Sequence, residues 1–385
     1  MHLCEAALTP PPAMQQQCTS LQGEEEQKQT PPHSHVYEVA VVGFGPVGAM
    51  AVALQTTLHP SRIVVVDPSF CGGGDLGVAW GAVPSNTTAA QVATALQRVP
   101  RWAGAPLKRL SAAAPSDSVP LAEVAEDVRD LSLPLLKLVT AVCGSVQEVR
   151  ATSTSAETYA LRVADPATGI HRVLYARRVL LCSGAVPRAL DLPLRAIPLE
   201  VALDPARLPR FVRREDRVVV FGLAHSGCLV LDNLRACGAH VTGVFRGAAP
   251  FVLARSGHYD GVKGRAEGVV DEITAGAWGT DTPMLVRNDD TARVLRAVLA
   301  AQAVVYCTGL RPRAPALVGP GGEALDPACY NAATGRLCGH GGGLFGFGAG
   351  WPSQTLTPDG VRHFDVGIPS FVDHLLRTLP GSPSS

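Results

Sequence analysis

Apolar positions along the chain fall into two similar blocks. Val39-Ala40-Val41-Val42 is β-branched and uncharged, the pattern of a strand buried on both faces. A glycine turn follows, Gly43-Phe44-Gly45-Pro46-Val47-Gly48, and then an Ala/Leu-rich run that predicts a helix. A second buried strand, Ile63-Val64-Val65-Val66, ends on Asp67, 24 residues after Gly43. The later block repeats this order. Arg217-Val218-Val219-Val220-Phe221 predicts a strand, Gly222-Leu223-Ala224-His225-Ser226-Gly227 its turn, Cys228 to Cys237 a helix stopped near Gly238, and His240 to Phe245 the next strand.

The period changes to two between the blocks. Val146 to Arg150, Tyr159 to Val163, Arg172 to Tyr175 and Val179 to Leu181 predict short strands, with Asp165-Pro166-Ala167-Thr168-Gly169 as a turn. They form an antiparallel meander within a parallel α/β unit. A helix is expected after Ser118 or Asp117 as cap, with Pro120 in its first turn and Leu121, Val124, Val128 and Leu131 as its apolar stripe. Another starts near Pro369 and carries Ile368, Val372, Leu375, Leu376 and Leu379 on one face. A shorter repeat is superimposed on these elements. Cys182-Ser183-Gly184-Ala185-Val186-Pro187-Arg188 and Cys307-Thr308-Gly309-Leu310-Arg311-Pro312-Arg313 each follow a buried strand.

These patterns suggest chemistry. In G-x-G-x-x-G, Gly43 makes the tight turn, Gly45 lets backbone approach a pyrophosphate, and Gly48 lets helix and strand pack closely. Pro46 suits a first helical turn, and the helix N-terminus beside Val47 offers N–H groups to phosphate. Asp67 is placed to accept the hydroxyls of an adenosine ribose. Past it lie Trp80 and Asn86, an aromatic ring and an amide near the sheet's carboxyl edge, where a flavin would sit. In the later turn Ala224 takes the second glycine's slot, where its methyl would narrow the approach of a pyrophosphate. The strand there ends on Phe245-Arg246, and a guanidinium can clamp a 2′-phosphate, so NADP is preferred over NAD. The small residues Ser183, Gly184, Thr308 and Gly309 at strand ends would let backbone pass close to a cofactor.

Composition narrows the classes. A chain of 385 residues holds two or three domains, and its 33 basic and 33 acidic residues give no bulk charge for nucleic acid or an anionic membrane. Its ten cysteines include no C-x-x-C and no zinc-type spacing, so they are expected to be buried thiols in a reducing compartment, with no metal. No apolar run approaches the ~18 residues of a spanning helix. Residues 1–35, rich in Pro, Gln and Glu, lack the features of a signal or transit peptide and read as a disordered tail. A cytoplasmic protein acting on a small molecule is expected, with its oligomeric state open.

The order of these parts resembles the two-dinucleotide-binding-domain flavoproteins, which include thioredoxin reductase, glutathione reductase and the flavin-containing monooxygenases. The resemblance covers roughly residues 36 to 380. It implies two Rossmann-like domains in three layers, with an NAD(P)-binding domain (201–308) inserted into an FAD-binding domain (36–200 and 309–385). Gly43, Gly45, Gly48 and Asp67 would hold the ADP half of FAD. Gly222, Ser226, Gly227 and Arg246 would face the nicotinamide dinucleotide. The segments at Ser183-Gly184 and Thr308-Gly309 look like the family's A-T-G signature, with Cys before them in place of Ala.

Two departures stand out. The disulfide reductases carry a closely spaced cysteine pair beside the flavin, whereas Cys71 is alone here. The family's terminal Gly-Asp, which binds the ribityl chain, is replaced by Gly348-Ala349-Gly350, and Asp365 is the nearest carboxylate in sequence. The resemblance therefore implies an FAD-dependent, NAD(P)H-oxidising enzyme, monooxygenase-like or an acceptor reductase, which passes electrons to oxygen or a small acceptor and not to a dithiol. No side-chain acid, base or nucleophile is singled out. The alternative is a degenerate flavoprotein fold kept as a dinucleotide-sensing or partner-binding module. A short-chain dehydrogenase reading rests on Tyr259 and Lys263, whose spacing needs a helix that Gly257, Gly261 and Gly264 disfavour.

Overall fold

A computed structural model describes residues 36–56, 60–152, 158–251, 264–339, 342–356 and 362–379. The tail at 1–35 and the Tyr259/Lys263 pair lie outside the described residues. Among those described, eight strands form one sheet and five another.

The first sheet grows from β1 (Val36–Val42), which pairs in parallel with β2 (Ile63–Asp67). Next to β2 lies β3 (Thr140–Cys143). The meander consists of β4 (Ser145–Ala151), β5 (Tyr159–Ala164) and β6 (His171–Leu181). Where two strands are expected over 172–181 the structure has a single one, because β6 serves different partners along its length. Its first half pairs antiparallel with β5, and its second half runs parallel to β1. The arginines that read as a break stay extended. Arg177 reaches solvent and an ion pair with Glu38, and Arg178 donates to Gln55 on the neighbouring helix.

After β6 the chain makes a short strand β7 (Ala185–Pro187) and enters the second sheet at β8 (Arg195–Ala196), ahead of residue 201. That sheet continues through β9 (Arg217–Phe221), β10 (His240–Phe245), β11 (Met284–Arg287) and β12 (Ala303–Tyr306), in the all-parallel order β11-β10-β9-β12-β8. The chain returns through β13 (Leu310–Pro312) and β14 (Ala316–Val318) to β15 (Leu344–Gly346), which lies parallel to the second half of β6. The second sheet is thus inserted in sequence between strands of the first. Both share the winding in which successive strands step outward from a central one, with ligand crevices at the carboxyl ends.

Alternating side chains of β1 and β2 build two cores. Val39, Val41, Ile63 and Val65 pack against the helices Pro46–Gln55, Ala89–Gln97, Leu121–Ser132 and Ile368–Thr378. Ala40, Val42, Val64 and Val66 face Val149, Tyr159 and Leu161 of the meander, with Leu317, Leu337 and Trp351. Three layers result, as expected. Pro120 is the residue just before the helix Leu121–Ser132, not in its first turn, and no side chain caps that helix. The Ser118 hydroxyl donates to the Ser85 carbonyl instead, because the 114–120 turn lies along residues 84–85. Among the described residues no helix is long and apolar enough to cross a membrane.

Helix Ile368–Thr378 buries His374 (1% exposed), its ring edge-on to Phe347 at 5.2 Å, with no hydrogen bond at either nitrogen among the described residues. Burial, with Arg377 nearby, pushes its pKa down to about 4. An unfolded histidine titrates near ~6.5, so between these values the unfolded chain holds more protons and stability falls as pH drops. His374→Leu is expected to flatten the fall in urea midpoint between pH 6.5 and 4; a slope unchanged from the parent protein would refute this account.

Candidate dinucleotide-binding sites

In the first turn the Gly43 N–H donates to the Val66 carbonyl at 2.8 Å, and the Cys182 N–H to the Val42 carbonyl at 2.8 Å. Gly43 has φ +94°, and a Cβ there would lie 2.6 Å from the Cys182 carbonyl oxygen. A Cβ on Gly48 would lie 2.0 Å from the Gly43 oxygen. Packing therefore dictates both glycines. Gly45 differs: its backbone is extended (φ −72°, ψ −172°) and the nearest atom to a Cβ would be Gly74 Cα at an ordinary 3.7 Å. The fold does not need a glycine there, whereas a ligand approaching the backbone would. Pro46 opens the helix, and Val47 is buried behind it, in reach of Gly348.

Asp67 is buried at the end of β2 and is already engaged. Its Oδ1 accepts from the N–H of Ser69 (2.8 Å) and Phe70 (2.7 Å) and from the Ser69 hydroxyl (3.2 Å). Its Oδ2 accepts from the Phe44 N–H at 2.7 Å, which leaves that oxygen capacity for one more donor. The carboxylate thus fastens the glycine turn to β2, with most of its accepting capacity already taken by this turn.

The short helix Gly74–Val78 brings residues the sequence reading passed over. Gly74, with φ +53°, sits against Gly45 and Pro46. Asp75 pairs with Arg313 at 2.7 Å and faces Gly184, whose φ is +78°. Gly350 packs on the Gly184 carbonyl and on Pro312, so the Gly348–Gly350 segment lies over this edge without a carboxylate while Asp75 supplies one. The triple glycine before Asp75 was the available signal. Cys71 lies beside Asp67 and Asp75; burial first, and those carboxylates after it, push its pKa up, which disfavours a reactive thiolate.

The second turn repeats the first. The Gly222 N–H donates to the Val244 carbonyl at 2.8 Å, and the Cys307 N–H to the Phe221 carbonyl at 2.7 Å. Gly222 has φ +91° with its Cβ position 2.3 Å from the Cys307 oxygen, and a Cβ on Gly227 would lie 2.1 Å from the Gly222 oxygen. Ala224 adopts the backbone of Gly45 (φ −76°, ψ −165°) and is exposed, so its methyl is unstrained. Ser226 lies in the first turn of helix His225–Ala236. Arg246 follows β10, is exposed, and has no ion pair among the described residues.

The repeated strand-end segments have a role that sequence did not show. They cross between the sheets side by side, β7 antiparallel to β13. Ser183 donates its hydroxyl to the Arg313 carbonyl, and Thr308 reciprocates to the Arg188 carbonyl at 2.8 Å. The Arg188 N–H bonds the Gly309 carbonyl at 2.9 Å, and the Arg313 N–H the Gly184 carbonyl at 3.1 Å. The hydroxyls tie crossing to crossing. Trp80 packs against the core of the second sheet, so it spans the two units, while Asn86 sits partly buried in the loop beyond. Asp365 lies on a strand paired with residues 353–356.

No protein-family model and no curated protein matches the sequence. Solved structures do. The chain is similar to the bacillithiol disulfide reductase of Bacillus cereus, at 12% identity and TM-score 0.55 over 88% of this chain and 96% of that one. The ornithine hydroxylase of Pseudomonas aeruginosa gives 12% identity and TM-score 0.55 over 82% and 92%. The bacillithiol disulfide reductase of Staphylococcus aureus gives 12% and 0.54 over 89% and 96%. The chain has the two-dinucleotide-binding-domain flavoprotein fold. Within that fold the glycine turns of both sheets stand at the carboxyl ends of their strands, and the paired crossings lie beneath them.

Ser183→Ala and Thr308→Ala should each lower stability by about 1 kcal/mol, the worth of one such hydrogen bond, in urea titrations of the purified protein. Unchanged stability in both variants would refute this bracing role for the hydroxyls.

Proposed function

We propose that this protein is an FAD-dependent, NAD(P)H-oxidising oxidoreductase. The supporting observation is Gly45. The fold demands Gly43 and Gly48, but the glycine between them faces the helix N-terminus without steric need, as a pyrophosphate contact would require. On this reading the segments up to residue 200 and beyond 309 bind FAD, and the segment between them binds the nicotinamide dinucleotide. Gly45, the N–H groups of Val47 and Gly48, and one oxygen of Asp67 would hold the ADP half, with Asp75 and Gly184 near the rest of the cofactor. Ser226 and the turn at Gly222–Gly227 would meet the second pyrophosphate. Arg246, exposed and unpaired among the described residues, would meet a 2′-phosphate, which favours NADP over NAD.

The flavin supplies the redox chemistry when bound, and the chain's part is to position and exclude. Among the described residues Cys71 forms no disulfide, and its pKa is raised, so electrons would pass to oxygen or a small acceptor without a thiol relay in this site. A cytoplasmic setting and a small-molecule substrate belong to the same proposal. A second reading, a cofactor-sensing or partner-binding module, draws support from the engaged oxygens of Asp67 and the missing carboxylate at Gly348–Gly350.

Purified protein should be yellow, with flavin absorbance that NADPH bleaches and air restores. Gly45→Ala should lose most of the flavin with a stability cost no greater than about 1 kcal/mol, whereas Gly43→Ala should cost about 2 kcal/mol or more through its left-handed backbone. A colourless protein that cannot be loaded with FAD would favour the module. Arg246→Glu should raise KM for NADPH at least tenfold and leave KM for NADH nearly unchanged; an equal effect on both would remove the NADP assignment.

A further inference from the structure

Among the described cysteines, Cys329 and Cys338 alone are exposed, contrary to the expectation of buried thiols. They lie opposite each other in a hairpin. Tyr330 and Leu337 form an antiparallel bridge, the Asn331 N–H donates to the Arg336 carbonyl at 2.8 Å, and the Cys338 N–H donates to the Cys329 carbonyl at 2.9 Å. The turn is closed by Asn331, whose Oδ1 accepts from Ala333 at 2.9 Å and Thr334 at 3.2 Å, and by Gly335 at φ +68°. Side chains alternate along such a ladder. Leu337 is buried (2% exposed) and the Tyr330 hydroxyl donates inward to the Pro352 carbonyl, so the next pair, the two cysteines, shares the outer face. Directly opposed residues of a hydrogen-bonded pair have Cα atoms about 5.5 Å apart, inside the range a disulfide spans.

We propose that Cys329 and Cys338 are a redox-modification site, closing reversibly into an intramolecular disulfide by exchange with a low-molecular-weight disulfide. In the first step the Cys338 thiolate attacks one sulfur of the small disulfide; a mixed disulfide forms, the small S–S bond breaks, and one small thiol leaves with a proton. Cys329 then gives up its proton and attacks the Cys338 sulfur, releasing the second small thiol. Two protein thiols are oxidised, and one small disulfide is reduced to two thiols. The order follows from the raised pKa of Cys329, whose side-chain hydrogen bond with Cys338, with Asp326 nearby, favours the thiol form.

The position gives the bond a mechanical consequence. The hairpin brackets residues 345–352: Arg336 bridges Phe345, the Gly346 N–H bonds the Gly335 carbonyl at 2.8 Å, and Trp351 Nε1 donates to the Pro327 carbonyl at 2.8 Å. That bracketed stretch carries Gly348 against Val47 of the first glycine turn. Oxidation would therefore cross-link the two arms that hold the segment over the first site. This inference is independent of whether that site holds a flavin.

The test is incubation of the full chain with oxidised glutathione, alkylation with N-ethylmaleimide, and peptide mapping by mass spectrometry. The expected result is a Cys329–Cys338 cross-link without lasting glutathione adduct at either residue, reopened by dithiothreitol. Cys329→Ser should instead accumulate a stable glutathione adduct on Cys338, because the resolving thiol is gone. Full alkylation of both residues, or a persistent adduct on the parent protein, would overturn the proposal.

Discussion

The structure depends on two close backbone contacts at Gly43. The Cys182 carbonyl presses on one side of this residue and Gly48, from the helix, on another, at distances that exclude any side chain. The contacts fix where strand, helix and returning strand meet, and so set the direction in which the helix N-terminus points. Asp67 reinforces the arrangement by accepting the Phe44 N–H from the turn and the Ser69 and Phe70 N–H groups from its own side. The same constraint recurs at Gly222, between Cys307 and Gly227. A carboxyl edge built mainly from close backbone contacts is rigid, and it leaves N–H groups facing outward at a helix end.

The two edges are coupled. Cys182 lies under the first turn and Cys307 under the second, and within a few residues the chain leaves each for β7 or β13, which pair with each other. Burial pushes the pKa of both cysteines up, so they are apolar floor tiles and not reactive groups. Ser183 and Thr308 close the ladder reciprocally. The spacing between the two candidate sites is thus set by a short, doubly tied crossing, aided by Trp80, which leans from one unit onto the core of the other. On the proposed function, two redox carriers that must meet would need such a fixed relation, because hydride transfer tolerates little misplacement.

Much of this was legible in the sequence, for physical reasons. A strand buried on both faces must be apolar throughout, and a turn squeezed between carbonyls must be glycine, so β1, β9 and both turns are written in residue type. What depends on distant partners was not. Ser183 and Thr308 each show a hydroxyl at a strand end, but the accepting carbonyl lies 130 residues away for the one and 120 for the other. Arg177 and Arg178 read as a break, yet both side chains find partners along an unbroken strand. Asp75 acquires its place only when Arg313 arrives from the end of the second sheet. Cys329 and Cys338 escape a search for C-x-x-C because a hairpin, not a helix, brings them together.

The two turns share a backbone and differ in what covers it, and that difference decides how each can be used. Gly45 is half-buried, approached by Gly74, with Gly348 resting on nearby Val47, so this edge is more covered than the other. Ala224 holds the same dihedral angles in the open, and the strand beyond it ends at an exposed arginine instead of a buried carboxylate. Enclosure slows dissociation, whereas an exposed cation speeds capture of an anion and leaves its exit unobstructed. On the proposed function, one skeleton built twice would serve a resident dinucleotide in its more covered copy and an exchanging one in its open copy. The methyl of Ala224 fits this division, since a carrier that comes and goes does not need the deepest backbone contact that Gly45 permits.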